Sequence, residues 1–251
     1  MADEIILRTE AVTKSFAGFV AVNGISLEVK RGGIHALIGP NGAGKTTYFN
    51  LLTRFMPVTS GRILFKGVDI THAKPHDVAR MGVVRSFQIS AIFPHLTVLE
   101  NVRIALQRFR ADNYFFWRSD AVLGALDDRA RAILADVGLD THASVVAADL
   151  PYGRKRALEF ATTLALEPEL LLLDEPTSGM ASEDIGRTVE LIRRAAANRT
   201  VLMVEHNLSV VADLSHRITV MQHGSILADG TYEDVSKNPT VIEAYIGTGL
   251  D

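Results

Sequence analysis

The sequence contains no cysteine, which removes disulfides, thiolate zinc sites and cysteine nucleophiles together and fits a reducing cytosol. It also lacks an excess of charge of one sign. Its 26 Lys and Arg stand against 29 Asp and Glu for a net charge of −3. No overall basic field argues for sequence-independent nucleic-acid binding, and nucleic acid is not an expected partner. No apolar run is long enough to cross a bilayer: residues 164–173 are interrupted by Glu167, Pro168 and Glu169. Asp3 and Glu4 stand where a secretory signal carries positive charge before an apolar stretch. A membrane role is therefore expected only through a partner. Internal repeats and low-complexity segments are also missing.

What is present is ordinary globular material. With 47% hydrophobic and 22% charged residues in a chain of 251, there is enough apolar surface for one main core with a subdomain attached. Short β-like runs at residues 5–7, 24–29 and 63–66, broken at 30–33 and 59–62, predict an antiparallel sheet in part. Within them, residues 34–38 form a compact apolar strand that leads into a glycine-rich turn and a helix beginning near Gly44. From about residue 89 to 166 the pattern turns helical: Ala130, Ile133, Leu134 and Val137 mark one helix face, and Leu158, Ala161, Leu164 and Ala165 another. Residues 170–173 and 201–204 then predict buried parallel strands, each followed by a helix, as in a doubly wound sheet resumed after an insertion. The tail alternates through 218–221 and 225–228 and ends in a helix with Val241, Ile242, Tyr245 and Ile246 on one side.

Chemistry concentrates in two places. Gly39-Pro40-Asn41-Gly42-Ala43-Gly44-Lys45-Thr46 has the P-loop spacing and lies between an apolar strand and a helix start, where the physics requires it. Glycines let backbone amides turn toward phosphate oxygens, and the helix N-terminus adds partial positive charge. Lys45 can reach the outer phosphates and Thr46 can ligate magnesium. A plain glycine-rich turn would also fit the composition, but not the flanking strand and helix as well. The second place is Leu170-Leu-Leu-Leu173-Asp174-Glu175, a strand buried on both faces that delivers two carboxylates at the edge where open α/β sheets bind ligands. Asp174 suits a magnesium shell, and Glu175 is placed to orient and deprotonate a water. Without the P-loop, a surface acidic pair closing a strand would be the better reading.

Pro176-Thr-Ser-Gly179 follows these motifs, and Leu150-Pro151-Tyr152-Gly153-Arg154-Lys155-Arg156 precedes the acidic strand at a helix start. The order of P-loop, glutamine, signature segment, acidic strand and histidine resembles the ATP-binding subunits of ABC transporters over essentially the whole chain. That resemblance implies an α/β fold: a P-loop NTPase (RecA-like) doubly wound core of residues 1–88 and 167–251, carrying an N-terminal antiparallel β subdomain. A helical subdomain, residues 89–166, is inserted and carries the signature segment. It further implies nucleotide contacts from Phe16, Val22, Gly39 through Lys45, Thr46, Thr47, Leu150, Tyr152 and Gly153. Gln88 would link magnesium and the attacking water to the transporter interface, and His206 would meet the γ-phosphate. ATP and Mg2+ are the implied ligands. A second ABC subunit, integral membrane permease subunits and, indirectly, a periplasmic or extracellular substrate-binding protein are the implied partners. The implied place is the cytoplasmic face of the inner membrane.

Some residues carry more than one reading. Phe16 offers a π-face to a base, yet with Phe19 and Val22 close by it serves equally as a core aromatic. Tyr114, Phe115, Phe116 and Trp117 either grip a partner helix or fill the lobe's own core, and Arg108, Arg110 and Arg118 read as a solvated face. The sequence also departs from the family pattern twice. The usual Leu-Ser-Gly-Gly-Gln is replaced by Leu150-Pro151-Tyr152-Gly153-Arg154, which removes the serine hydroxyl and places an imino acid without a donor. Ala181 stands where an aspartate is usual, which bears on communication between paired sites. The Pro-Tyr-Gly variant, residues 93–102 and the ending 239–247 look most like ATPases of branched-chain (hydrophobic) amino-acid importers. The ATPases of lipopolysaccharide export and urea uptake are close in pattern, and a soluble ABC ATPase of cofactor assembly is the reading from another class. No Asn-Lys-x-Asp guanine reader is present.

Overall fold

A computed structural model of the chain describes residues 4–86, 92–107 and 120–246, without the side chains of 120–125, 182 and 246. The elements in order are β1 (Ile5–Phe16), β2 (Phe19–Lys30), β3 (Gly33–Ile38), α1 (Lys45–Leu52), β4 (Ser60–Phe65), β5 (Val68–Asp69), α2 (Pro75–Arg80), β6 (Val83–Ser86), α3 (Val98–Gln107) and α4 (Asp120–Asp136). There follow α5 (Tyr152–Leu164), β7 (Leu170–Asp174), α6 (Ser182–Ala196), β8 (Thr200–Val204), α7 (Leu208–Leu214), β9 (Arg217–Gln222), β10 (Ser225–Gly230), α8 (Tyr232–Ser236) and α9 (Pro239–Ile246). They divide into two compact units, one of residues 1–85, 169–180 and 196–251, the other of 86–168 and 181–195. The sequence had kept 181–195 with the core. In the structure Asp184 lies against the start of α5, 3.4 Å from where a Cβ on Gly153 would be, and such a contact between distant helix starts leaves no periodic trace in the sequence.

The first unit holds two sheets. One is four-stranded in the order β2-β1-β4-β5 with antiparallel neighbours. The other runs β10-β9-β3-β8-β7-β6, with β3 parallel to β8 and β9, β7 parallel to β8, and β10 antiparallel to β9. β1 and β2 are far longer than the runs at 5–7 and 24–29. The register of β1 against β2 slips between Thr9 and Val12, where Ala11 takes φ 47. Such a bulge interrupts the alternation that sequence reading depends on. Gly61 accommodates it, since a Cβ there would lie 2.4 Å from the Ala11 carbonyl oxygen.

β3 shows why its sequence is apolar at all but one position. Leu37 packs into the large cluster with Tyr48, Phe49, Leu51 and Leu52 of α1 and with Leu172 and Leu202. Ala36 and Ile38 enter a second cluster with Val211, Val220, Val235 and Val241. A strand covered on both faces has no solvent side for polar residues. Tyr48 also bonds Thr9 Oγ1 through its hydroxyl at 2.9 Å, which ties α1 to β1. On α9 the expected apolar face is corrected: Val241 and Ala244 are buried while Ile242 is exposed.

His35 is the polar exception in β3. Its Nε2 lies 2.7 Å from Thr219 Oγ1, which donates to Asp229 Oδ1 at 3.0 Å, and Arg217 holds the same carboxylate. Burial lowers the His35 pKa from 6.5 to about 4; Asp229 pulls it up and Arg217 pushes it down. The unfolded chain therefore binds the proton more readily, so this group removes stability as pH falls through the window from 6.5 to about 4. The full loss is about 3 kcal/mol. Urea unfolding at pH 7 and pH 5 is expected to show His35→Gln losing clearly less stability than the wild type, and equal losses would exclude His35 as the source.

The second unit is helical. α4 buries Ala130 and Leu134, Val137 is buried just after it, and α5 buries Leu158, Ala161 and Leu164, as the periodicity predicts. From the first turn of α3, the Asn101 side chain reaches back and donates to the Phe93 and Thr97 carbonyls at 3.1 and 2.9 Å and accepts from Phe93 N at 2.7 Å. Thr97 and Glu100 form a reciprocal cap at the helix start. The run 93–102 is thus a self-bonded helix entry.

Candidate functional site

The glycine-rich loop begins where β3 ends. Gly39, Gly42 and Gly44 have φ values of 148, 78 and 98, a region L side chains rarely enter. Gly39 and Gly44 face close backbone as well: added Cβ atoms would lie 2.1 Å from the Met221 carbonyl oxygen and 2.4 Å from that of Ala21. At Gly42 nothing lies within 4 Å of that point, so the loop is braced from behind and open in front. The brace includes the turn after β9, where Gly224 N donates to Ala43 O at 3.0 Å and Asn23 N donates to Gly224 O at 2.8 Å. Tyr245 of α9 is hydrogen-bonded to the Gly39 backbone, and burial pushes its phenol up to about 12.

Gly44 is the N-cap of α1 and offers no side-chain cap, so the first amides of α1 depend on other acceptors. Lys45 is buried, and its ammonium donates to the Gly39 and Pro40 carbonyls at 2.6 and 3.0 Å. Burial lowers its pKa, while Glu175 and Asp174 raise it. Thr46, Asn41 and Gly42 are exposed, Pro40 and Thr47 half-buried, and Ala43 buried. Phe16 is 40% exposed with the Lys14 ammonium 5.1 Å from its ring centre, so it is not a core aromatic. Val22, expected to touch nucleotide, is 0% exposed and belongs to the main cluster; its side chain packs instead.

β7 carries Asp174 to the same sheet edge. Asp174 is buried, and its Oδ2 pairs with Arg85 of β6, which also donates to Asn50 Oδ1 at 2.5 Å. Glu175 follows in a left-handed conformation, φ 48, with its N–H donating to the Val204 carbonyl at 2.8 Å. His206 stands after β8 with its side chain 59% exposed. Between these two turns lies Glu205, which is 0% exposed. Its Oε1 accepts from Thr177 N at 3.0 Å and from Thr177 Oγ1, and its Oε2 from His206 N and Asn207 N at 2.8 and 2.9 Å.

Sequence reasoning missed Arg85 and Glu205. A charge inside the run Val83-Val84-Arg85 and an acid closing β8 just as Asp174 closes β7 were the available signals. In the second unit, Leu150 is buried, Pro151 is the N-cap of α5, and Tyr152 is 57% exposed. The Pro151 carbonyl accepts from both Arg154 N and Lys155 N at 3.0 Å. Gln88 and the aromatic stretch 114–117 lie outside the described residues, as do Arg108, Arg110 and Arg118.

Chemically, the first unit joins a braced glycine loop, a lysine and two carboxylates at one sheet edge, a constellation suited to a nucleoside triphosphate. Among the described residues no three His, Asp or Glu side chains gather into a metal site. The oxygen donors of Thr46 and Asp174 fit a hard cation such as magnesium, which takes few protein ligands and completes its shell from phosphates and water.

Comparison with known proteins agrees. Residues 22–178 match the family described as ABC transporter, and residues 225–251 the family described as branched-chain amino acid ATP-binding cassette transporter. The high-affinity branched-chain amino acid transport ATP-binding protein LivG of Salmonella typhimurium is 39% identical over 249 residues, covering 96% of this chain and 98% of that one. The protein described as probable LivG of Archaeoglobus fulgidus is 36% identical, covering 96% and 95%. A solved ATP-binding cassette of an ABC transporter in its ADP conformation superposes with a TM-score of 0.82 at 30% identity, over 97% of this chain and 99% of that one. The braced phosphate loop, the acidic strand end and a full-length likeness to these proteins place the chain in the ATP-binding cassette family of ABC transporters.

Proposed function

We propose that this chain is the ATP-hydrolysing subunit of an ABC importer for branched-chain or other hydrophobic amino acids. The match of residues 225–251 to the branched-chain cassette family supports that cargo class most directly. In this reading Phe16 stacks on adenine, and the backbone from Gly39 to Thr47 holds the phosphates. Lys45 exchanges its loop carbonyls for the outer phosphate oxygens. Thr46, Asp174 and Gln88 hold magnesium, whose charge offsets that of the phosphates. Glu175 takes a proton from a water as its oxygen bonds to the terminal phosphorus. The bond to the bridging oxygen breaks, and ADP departs with that electron pair. His206 steadies the γ-phosphate. Leu150, Tyr152 and Gly153 reach the nucleotide of a second subunit, with α5 amides replacing the missing serine hydroxyl.

Two such subunits closing on ATP would drive permease subunits between inward and outward states, with a binding protein delivering cargo on the far side. No helix among the described residues is long and apolar enough to cross a membrane, which supports attachment to the inner face of the membrane through the permease. Co-purification tests this. The tagged chain is expected to bring down integral membrane subunits from detergent-solubilised cells, whereas recovery only with soluble proteins or RNA would end the transport reading.

A further inference from the structure

We propose that Glu205 is a positioning residue for hydrolysis, one buried carboxylate that fixes together the turn presenting Glu175 and the turn presenting His206. This rests on the roles proposed above for those two side chains. A carboxylate withdrawn from water is destabilising unless its lone pairs are taken. Glu205, with 0% exposure, has two donors on each oxygen: Thr177 N and Oγ1 on Oε1, His206 N and Asn207 N on Oε2. Three of the four are main-chain amides, so what the charge holds is backbone, and it holds it on both sides.

The two segments are bound at a second point, where Glu175 N donates to Val204 O at 2.8 Å. Thr177 follows Glu175 by two residues, and His206 follows Glu205 directly. Between these two fastenings Glu175 is kept at φ 48, a conformation that persists only when its surroundings impose it. Asn207, the last donor, also caps α7, accepting from Ser209 N and Val210 N, so the carboxylate anchors the cap of that helix as well. None of the bonds to Glu205 involves the phosphate loop. Loosening them should therefore disturb the placement of the base and of the histidine while leaving nucleotide affinity nearly intact.

Glu205→Gln keeps the shape but turns an amide toward backbone donors on one side, and Thr177→Val removes one donor without touching the carboxylate. With the full chain, steady-state ATP hydrolysis and urea unfolding are measured for both. Glu205→Gln is expected to lower kcat by about 10-fold or more with KM for ATP within about twofold, and Thr177→Val to lower kcat by about threefold. Unchanged kcat in folded Glu205→Gln overturns the inference, as does a loss of kcat and affinity that merely follows the fraction unfolded. If Glu205→Gln does not fold, Thr177→Val decides, and unchanged kcat there overturns it. Glu175→Gln is assayed alongside. If it hydrolyses ATP like the wild type, the underlying reading and this inference fall together, whereas a loss there with none in Glu205→Gln removes only the positioning role.

Discussion

Glu175→Gln is expected to lower ATP turnover by about 100-fold or more while ATP still binds. The amide has the shape of the carboxylate but cannot accept the proton of the attacking water. The turn that carries Glu175 is fastened through main-chain groups, its own N–H on Val204 O and Thr177 N on Glu205, so the exchange leaves the backbone in place. The glycine loop, proposed above to hold the phosphates, keeps its backbone supports from Met221, Ala21 and Gly224. Phosphate release in a single turnover measures the loss, and light scattering with ATP measures the accompanying product, a trapped ATP-bound pair of subunits. An unaltered rate would show that another group takes the proton.

Gly39→Ala is expected to abolish ATP binding and to destabilise the fold. The new Cβ would lie 2.1 Å from the Met221 carbonyl oxygen and 3.3 Å from the Ala43 Cβ, and neither Met221 O nor the loop can swing aside as a flexible side chain would. Overpacking of about 1–3 kcal/mol adds to backbone strain of about 1–3 kcal/mol, so a loss of about 2–6 kcal/mol is expected. Gly42→Ala is the comparison. Its φ is 78 but nothing lies within 4 Å of the added atom, so strain alone applies, about 1–2 kcal/mol. Urea unfolding of the three proteins distinguishes these terms. Equal stability of Gly39→Ala and Gly42→Ala would mean that the wall at Met221 yields.

What the sequence conveys depends on whether a signal is local. β3, β7 and β8 are legible because strands buried on both faces read as apolar runs, broken in β3 only by His35, and the loop between β3 and α1 is legible because its glycines recur at fixed spacing. The true length of β1 is hidden by the bulge at Ala11, which throws alternation out of phase. Phe16 carries two readings in the sequence because exposure depends on what lies across the sheet, and the burial of Val22 is hidden for the same reason. Glu205 reads as one more acid beside a histidine. Its importance comes from Thr177, a neighbour only after β7 and β8 pair. Arg85 likewise acquires meaning only when β6 lies beside β7 and brings it to Asp174. The grouping of 181–195 with the helical unit has the same origin in contacts distant along the chain.

The phosphate loop is synthesised early, yet the wall behind it is not. Gly39 rests on Met221 and Tyr245, Ala43 accepts from Gly224, and β3 lies between β8 and β9. A ribosome that has released only the first half of this chain has exposed every residue of the loop and none of these supports. On such a nascent chain the loop is therefore expected to lack the shape that would let ATP stabilise it. A chain truncated before β9 is therefore expected to fail to bind ATP as well as to be incomplete in fold, which equilibrium binding of a fluorescent ATP analogue to the truncated and full chains measures.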